Sequence, residues 1–191
     1  MPDNNIPIIK RGVRSAAPRI LSPELRNETS RAFLSIKNQM VAEFLGHPIT
    51  VEIMAGPDAP NISGTLGGRG NLFSFIGFEE GDDPIKPILD LLYSSFVQFN
   101  GITPTGIVSS VFIPTADEIF NETPMPWATG RSWTFGIERG ISGLGWYLNQ
   151  SGAGRSGGGL QASQQIAAAK FKNTQYISAL LNKYTKLFQS L

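Results

Sequence analysis

Twenty-one glycines and thirteen prolines punctuate this chain, so whatever it folds into must be assembled from short elements joined by many turns and extended segments. At 191 residues the chain fits one domain with an additional arm or extended loop. The hydrophobic fraction, 41%, suffices for a core, while charged residues make up only 16%. That is below the roughly 25% of ordinary globular chains, so much neutral surface is left to be covered by partners.

The clearest element begins at Ser22-Pro23-Glu24: a capping serine, proline at the first helical position and an acid in the first turn. Leu25, Phe33, Ile36, Met40 and Phe44 then recur near the helical period, and Gly46 with Pro48 stops the run. Ile49–Met54 (ITVEIM) alternates and is β-branched, which predicts a strand. The glycine-rich run 55–70 is longer than compact domains usually allow a loop, and Asn71–Phe78 (NLFSFIGF) predicts a second strand. Pro84 opens a helix through Phe96 or Phe99, Ile102–Ile113 reads as a third strand broken at Pro104 and Gly106, and Thr115–Phe120 reads as a short capped helix. Ser132–Glu138 and Ile141–Leu148 are expected to pair as a hairpin, and Thr174–Phe188 forms a last amphipathic helix. Without regular βα alternation these elements predict an α+β fold: mainly antiparallel sheet packed by amphipathic helices, with a long glycine-rich loop. Residues 1–21 are expected to be an extended N-terminal arm whose Ile6-Pro-Ile-Ile suits a neighbour's sheet edge, and residues 22–191 a single α+β domain.

Net charge is +1, but it is segregated along the chain. Residues 1–22 carry +3, residues 23–138 carry −8, and residues 139–191 carry six basic side chains and no acid. Basic ends around an acidic middle suit head-to-tail packing of identical copies. No apolar run approaches the roughly 18 residues that span a bilayer, and the N-terminus lacks the apolar stretch of a secretory signal, so no membrane role is expected. The chain has no cysteine, which excludes disulfides and thiolate metal sites.

Two motifs invite chemistry and fail. Gly152-Ala-Gly154-Arg-Ser-Gly157 has the glycine spacing of a dinucleotide loop, and Gly154-Arg-Ser156-Gly-Gly158 that of a nucleophile elbow. Each mechanism needs an acid downstream, and none follows Glu138; the elbow also needs a later histidine, yet the single His47 lies far upstream. His47 reads as a helix C-terminal residue, a lone histidine is a poor metal ligand, and the acidic run Glu79–Asp83 lacks calcium-loop spacing. No catalytic residue, cofactor or metal is therefore assigned, and an enzyme is not expected. The basic region 139–191, with interleaved aromatics, supplies the alternative of a nucleic-acid-binding module.

The segments RSWTFGIERGISGLGWYL and GRSGGGLQ, the YISALLNKY helix, and the first half leading through HPITVEI to LFSFIGF together resemble small virion proteins of tailed bacteriophages. These are the neck, head–tail connector, tail-completion and tail-terminator proteins. The resemblance covers most of residues 22–190 and rests on no catalytic signature. It implies a non-enzymatic viral structural protein, made in the host cytoplasm and incorporated in the virion. There it would form a homo-oligomeric ring of six copies or a multiple that connects capsid or portal to tail. Partners would be copies of itself and other neck, portal or tail proteins, with passive contact to DNA in a channel. The stretch Trp127–Gln161 holds all three tryptophans and ten of the glycines. With the aromatic residues flanking the glycine-rich run it supplies the expected subunit interface: Trp127, Arg131, Trp133, Arg139, Trp146, Arg155, Arg69, Phe73 and Phe75.

Overall fold

The computed structural model describes residues 5–9, 22–68, 70–103, 106–140 and 173–190. The fold is α+β, with small antiparallel sheets among the helices. In chain order the elements are β1 (Asn5–Ile9), α1 (Ser22–Gly46), α2 (Pro48–Met54), α3 (Leu72–Ile76), α4 (Lys86–Tyr93), β2 (Phe96–Thr103) and β3 (Gly106–Phe112). They continue with α5 (Ala116–Asn121), β4 (Pro124–Met125), β5 (Ala128–Ser132), α6 (Trp133–Arg139) and α7 (Ile177–Gln189). The chain divides into two compact units: Met1–Phe44 with Leu89–Ala116 and Ser178–Leu191, and Leu45–Ile88 with Asp117–Ile177.

The first unit is built on a three-stranded antiparallel sheet in the order β1-β3-β2. The run expected as one broken strand is a hairpin: β2 and β3 pair from Phe96↔Phe112 to Thr103↔Gly106, with a register shift between Phe99 and Gly101. The helix expected to reach Phe96 or Phe99 ends at Tyr93, where Lys37 intervenes. Its ammonium donates to the carbonyl of Tyr93, the last residue of α4, and to that of Ser95 in the link to β2. Partial burial lowers the Lys37 pKa from its ordinary value. Residues 5–9 add to the other side of β3 in the register Asn5↔Phe112 to Ile9↔Val108. Of the stripe read on α1, Phe33, Met40 and Phe44 are buried and Leu25 and Ile36 half-buried; Thr29 is buried as well, and Phe33 meets Phe188 of α7 with ring centroids 5.4 Å apart. Further along α7, Tyr184 donates to the Glu43 carboxylate at 2.7 Å, and Lys183 pairs with the same oxygen.

The second unit corrects three strand expectations. ITVEIM is α2, NLFSFIGF contains α3, and SWTFGIE contains α6, so the expected hairpin of Ser132–Glu138 has no first strand. Its second half, Ile141–Leu148, lies outside the described residues. The physical reason is the same each time: a side chain just before the run takes an N-terminal helix amide. His47 Nδ1 accepts from Ile49 N at 3.3 Å, Asn71 from Ser74 N at 3.0 Å, and Ser132 from Phe135 N at 3.2 Å. His47 thus starts a helix, and the expectation that it sits at a helix C-terminus is corrected to that extent. Two of the runs also end on a glycine with positive φ, Gly77 at 98° and Gly140 at 108°.

Glu52 on α2 is fully buried and organises the glycine-rich run. Its carboxylate accepts from Leu72 N at 2.7 Å, Ser63 N at 2.7 Å and Asn61 Nδ2 at 2.9 and 3.1 Å. Asn61 in turn accepts from Leu66 N and Gly68 N. The core beside it joins Trp133, Phe78 and Tyr176, with ring centroids 5.8 Å apart for Phe78–Trp133 and 6.2 Å for Trp133–Tyr176. The Tyr176 hydroxyl lies 2.8 Å from that of Thr50, and burial pushes its pKa above the ordinary tyrosine range.

Two predictions follow from these bonds. Glu52→Gln replaces an acceptor-only group by one whose NH₂ faces donors, and should cost about 2–4 kcal/mol in urea unfolding. An unchanged midpoint would contradict the organising role. The second concerns Tyr184, whose pKa is pushed from 10.0 to about 12, first by burial, then by its hydrogen bond to Glu43 and the charge of that carboxylate. The folded chain therefore holds a proton that the unfolded chain releases. This contribution to stability is complete below pH 10 and is lost as pH rises to about 12. Glu43→Gln should shift the Tyr184 ionisation to lower pH, read as tyrosinate absorbance against a Tyr184→Phe control.

Candidate functional site

The stretch from Thr123 to Gly140 is shaped by three hydroxyl groups. Thr123, Ser132 and Thr134 form a triangle with sides of 2.7–2.8 Å, and Thr123 also donates to the Ile119 carbonyl at 2.7 Å. The triangle ties the end of α5 to β5 and to the start of α6. Its members are committed to one another and to helix ends, so it holds shape; no imidazole belongs to it.

Against this scaffold lies an open cleft of about 450 Å³, within the size range of ligand pockets. Phe120, Met125 and Phe135 supply its apolar lining, and Asn121, Arg131 and Gly140 its polar and backbone part. Phe120 and Phe135 meet edge to face at 5.3 Å, and Phe135 remains 47% exposed. The cleft thus presents aromatic faces beside a guanidinium. Among the described residues no group of three or more His, Cys, Asp or Glu side chains converges to hold a metal, and no helix is long and apolar enough to cross a membrane.

The expected interface residues separate into three sets. Arg131 and Arg139 are exposed, and Arg131 lines the cleft. Trp133 and Phe73 are 1% and 3% exposed and belong to the core, where their rings meet Phe78; they are not available to a neighbour. Trp127 and Phe75 are half-buried. The Trp127 indole donates to the Ile76 carbonyl at 2.6 Å and lies over Gly77. Arg69, Trp146 and Arg155 lie outside the described residues. The chain leaves at Gly140 and is next described at Asn173, close by: Thr174 N donates to the Ile137 carbonyl at 3.1 Å. Phe120, Met125 and Phe135 escaped sequence reasoning. The signal available for Phe135 was its place three residues after a capping serine, which puts it in the first turn of a helix.

Comparison of the chain with protein-family models, with curated proteins and with solved structures finds no match.

Gly77 provides a test of how Trp127 is seated. A Cβ there would lie 2.9 Å from Trp127 Cδ1, on a backbone with φ of 98°. Gly77→Ala should cost about 1–3 kcal/mol from strain and overlap together. In a Trp127→Ala background the overlap part should vanish and the backbone part remain. A denaturant double-mutant cycle with no coupling would contradict this seating.

Proposed function

We propose that the chain is a non-enzymatic structural component of a phage virion, forming a ring at the neck or head–tail joint that connects capsid or portal to tail. The observation that carries this reading is how charge is distributed over the fold. The described residues of the second unit carry ten acidic and three basic side chains. The residues outside the described set carry eight basic side chains and one acidic. A chain so divided presents one copy's basic segments with an acidic counterpart on the next, which favours ordered contact between copies. The open aromatic cleft beside Arg131 adds a receptor for a neighbour's side chain. The resemblance of the sequence to connector and terminator proteins supplies the setting.

The alternative, a nucleic-acid-binding module in residues 139–191, loses part of its charge within the fold, because Lys183 is paired with Glu43. One experiment separates the two. The purified full chain should assemble into species of six copies or a multiple, alone or on portal and tail proteins. Ultracentrifugation should show these species weakening as salt screens the contacts over about 8 Å at physiological ionic strength. Substituting Lys10, Arg11, Arg14 and Arg19 by Gln should weaken them further. A chain that stays monomeric in both settings sinks the reading. DNA affinity that falls steeply with salt and vanishes when Lys170, Lys172, Lys183 and Lys186 are neutralised would favour the alternative.

A further inference from the structure

β2 is an edge of its sheet among the described residues, since the order is β1-β3-β2. Natural edges are guarded by charges, prolines, β-bulges or very short length. β2 is eight residues long, and its sequence FVQFNGIT holds no charge and no proline. The opposite edge, β1, has Pro7, which lacks an N–H to offer a further strand. Among the described residues no further strand covers the β2 side, and the guard it carries is the register shift between Phe99 and Gly101.

The exposed row of β2 narrows what can extend it. Burial alternates strictly, leaving Phe96, Gln98, Asn100 and Ile102 exposed and Val97, Phe99, Gly101 and Thr103 half-buried. Phe96 and Ile102 are 51% and 41% exposed, high for large apolar side chains. Phe96 is already held in place by stacking on Phe112 at 4.7 Å. The register with β3 shifts between Phe99 and Gly101, where Asn100 donates its amide N–H to Ser110 at 2.7 Å, and the exposed alternation passes through the shift unbroken. That bond leaves the Asn100 amide oxygen as an acceptor.

The row therefore reads apolar, amide, amide, apolar, the same in both directions. Such a row is complementary to itself when reversed. Two β2 strands laid antiparallel about a two-fold axis at Phe99 place Phe96 opposite Ile102 and Gln98 opposite Asn100, each pair occurring twice. The strand itself carries no charge, and the nearby cation is Arg26, whose guanidinium lies 5.5 Å from the ring centroid of Phe99.

We propose that β2 is a self-recognition edge, by which a second copy of this chain pairs antiparallel across a two-fold axis at Phe99, fusing two three-stranded sheets into one. The occupant is a second copy because a reversed β2 matches both the backbone edge and the order of the exposed side chains. This contact goes beyond the ring reading and does not rest on it: it pairs copies whether or not they also form rings.

The test uses the full-length chain and leaves its basic segments unaltered. Ultracentrifugation should show a species with an even number of copies. Ile102→Lys should raise its dissociation constant about tenfold, because two symmetric apolar pairs are lost. F96E should do the same, and the double variant F96E/I102K should restore pairing, since the introduced charges then face each other across the axis. Circular dichroism checks that each variant is folded. The natural chain has no cysteine. On oxidation F99C should therefore cross-link to its own counterpart, while I102C, facing residue 96, should not. Equal cross-linking at both positions overturns the proposal. So does a folded I102K that associates like the natural chain, or a natural chain that shows no two-copy contact. Rings that survive I102K would leave the ring reading standing while this one falls.

Discussion

A carboxylate that never meets water governs the second unit. The Glu52 side chain is acceptor-only, and the chain brings it Leu72 N, Ser63 N and Asn61 Nδ2. Burying the charge is costly, and charge-assisted bonds at 2.7 Å offset that cost only if all are made together. The consequence is cooperative. Leu72 N is an orphan donor at the start of α3, so Glu52 on one helix supplies the partner that the next helix's first turn lacks. Asn61, held by the same carboxylate, accepts from Leu66 and Gly68, so one buried charge sets the path of a run too rich in glycine to set its own.

That dependence explains what the sequence made legible. α1 and α7 are long enough to show a full apolar stripe, and α5 carries its own start signal. ITVEIM, NLFSFIGF and SWTFGIE are short and β-branched or aromatic, and in runs of that length strand and helix patterns overlap. What decides them is the residue outside each run. His47, Asn71 and Ser132 each take an N-terminal amide, and two of the runs end on a glycine with positive φ, Gly77 and Gly140. The caps were present in the sequence; their weight against β-propensity came from tertiary bonds such as Glu52 to Leu72, which no local window contains.

Within the stretch expected to form an interface, the face each aromatic ring takes was not legible. Trp127 and Trp133 lie six residues apart in the same cationic, glycine-rich segment. One is half-buried against Gly77, and the other is enclosed by Phe78 and Tyr176. The difference arises because Ser132 starts α6, so Trp133 opens a helix whose inner face it joins. Read as a strand, the segment would have alternated faces and assigned Phe135 to the same side as Trp133; as a helix it leaves Phe135 at the cleft. An error in period thus becomes an error in which aromatic ring is offered outward.

The two contacts proposed for this chain obey different physics. Charge is set apart between the acidic second unit and the basic segments, and contacts of that kind act at a distance, steer approach and fade with salt. β2 itself carries no charge, so pairing there would discriminate at contact, through backbone bonds and the order of four side chains. A subunit that used both would meet its neighbours through the first and fix a register through the second. The sparseness of charge along the chain, which first suggested covered surface, is what keeps these two mechanisms separate: a lysine on β2 would guard the edge and lose the match.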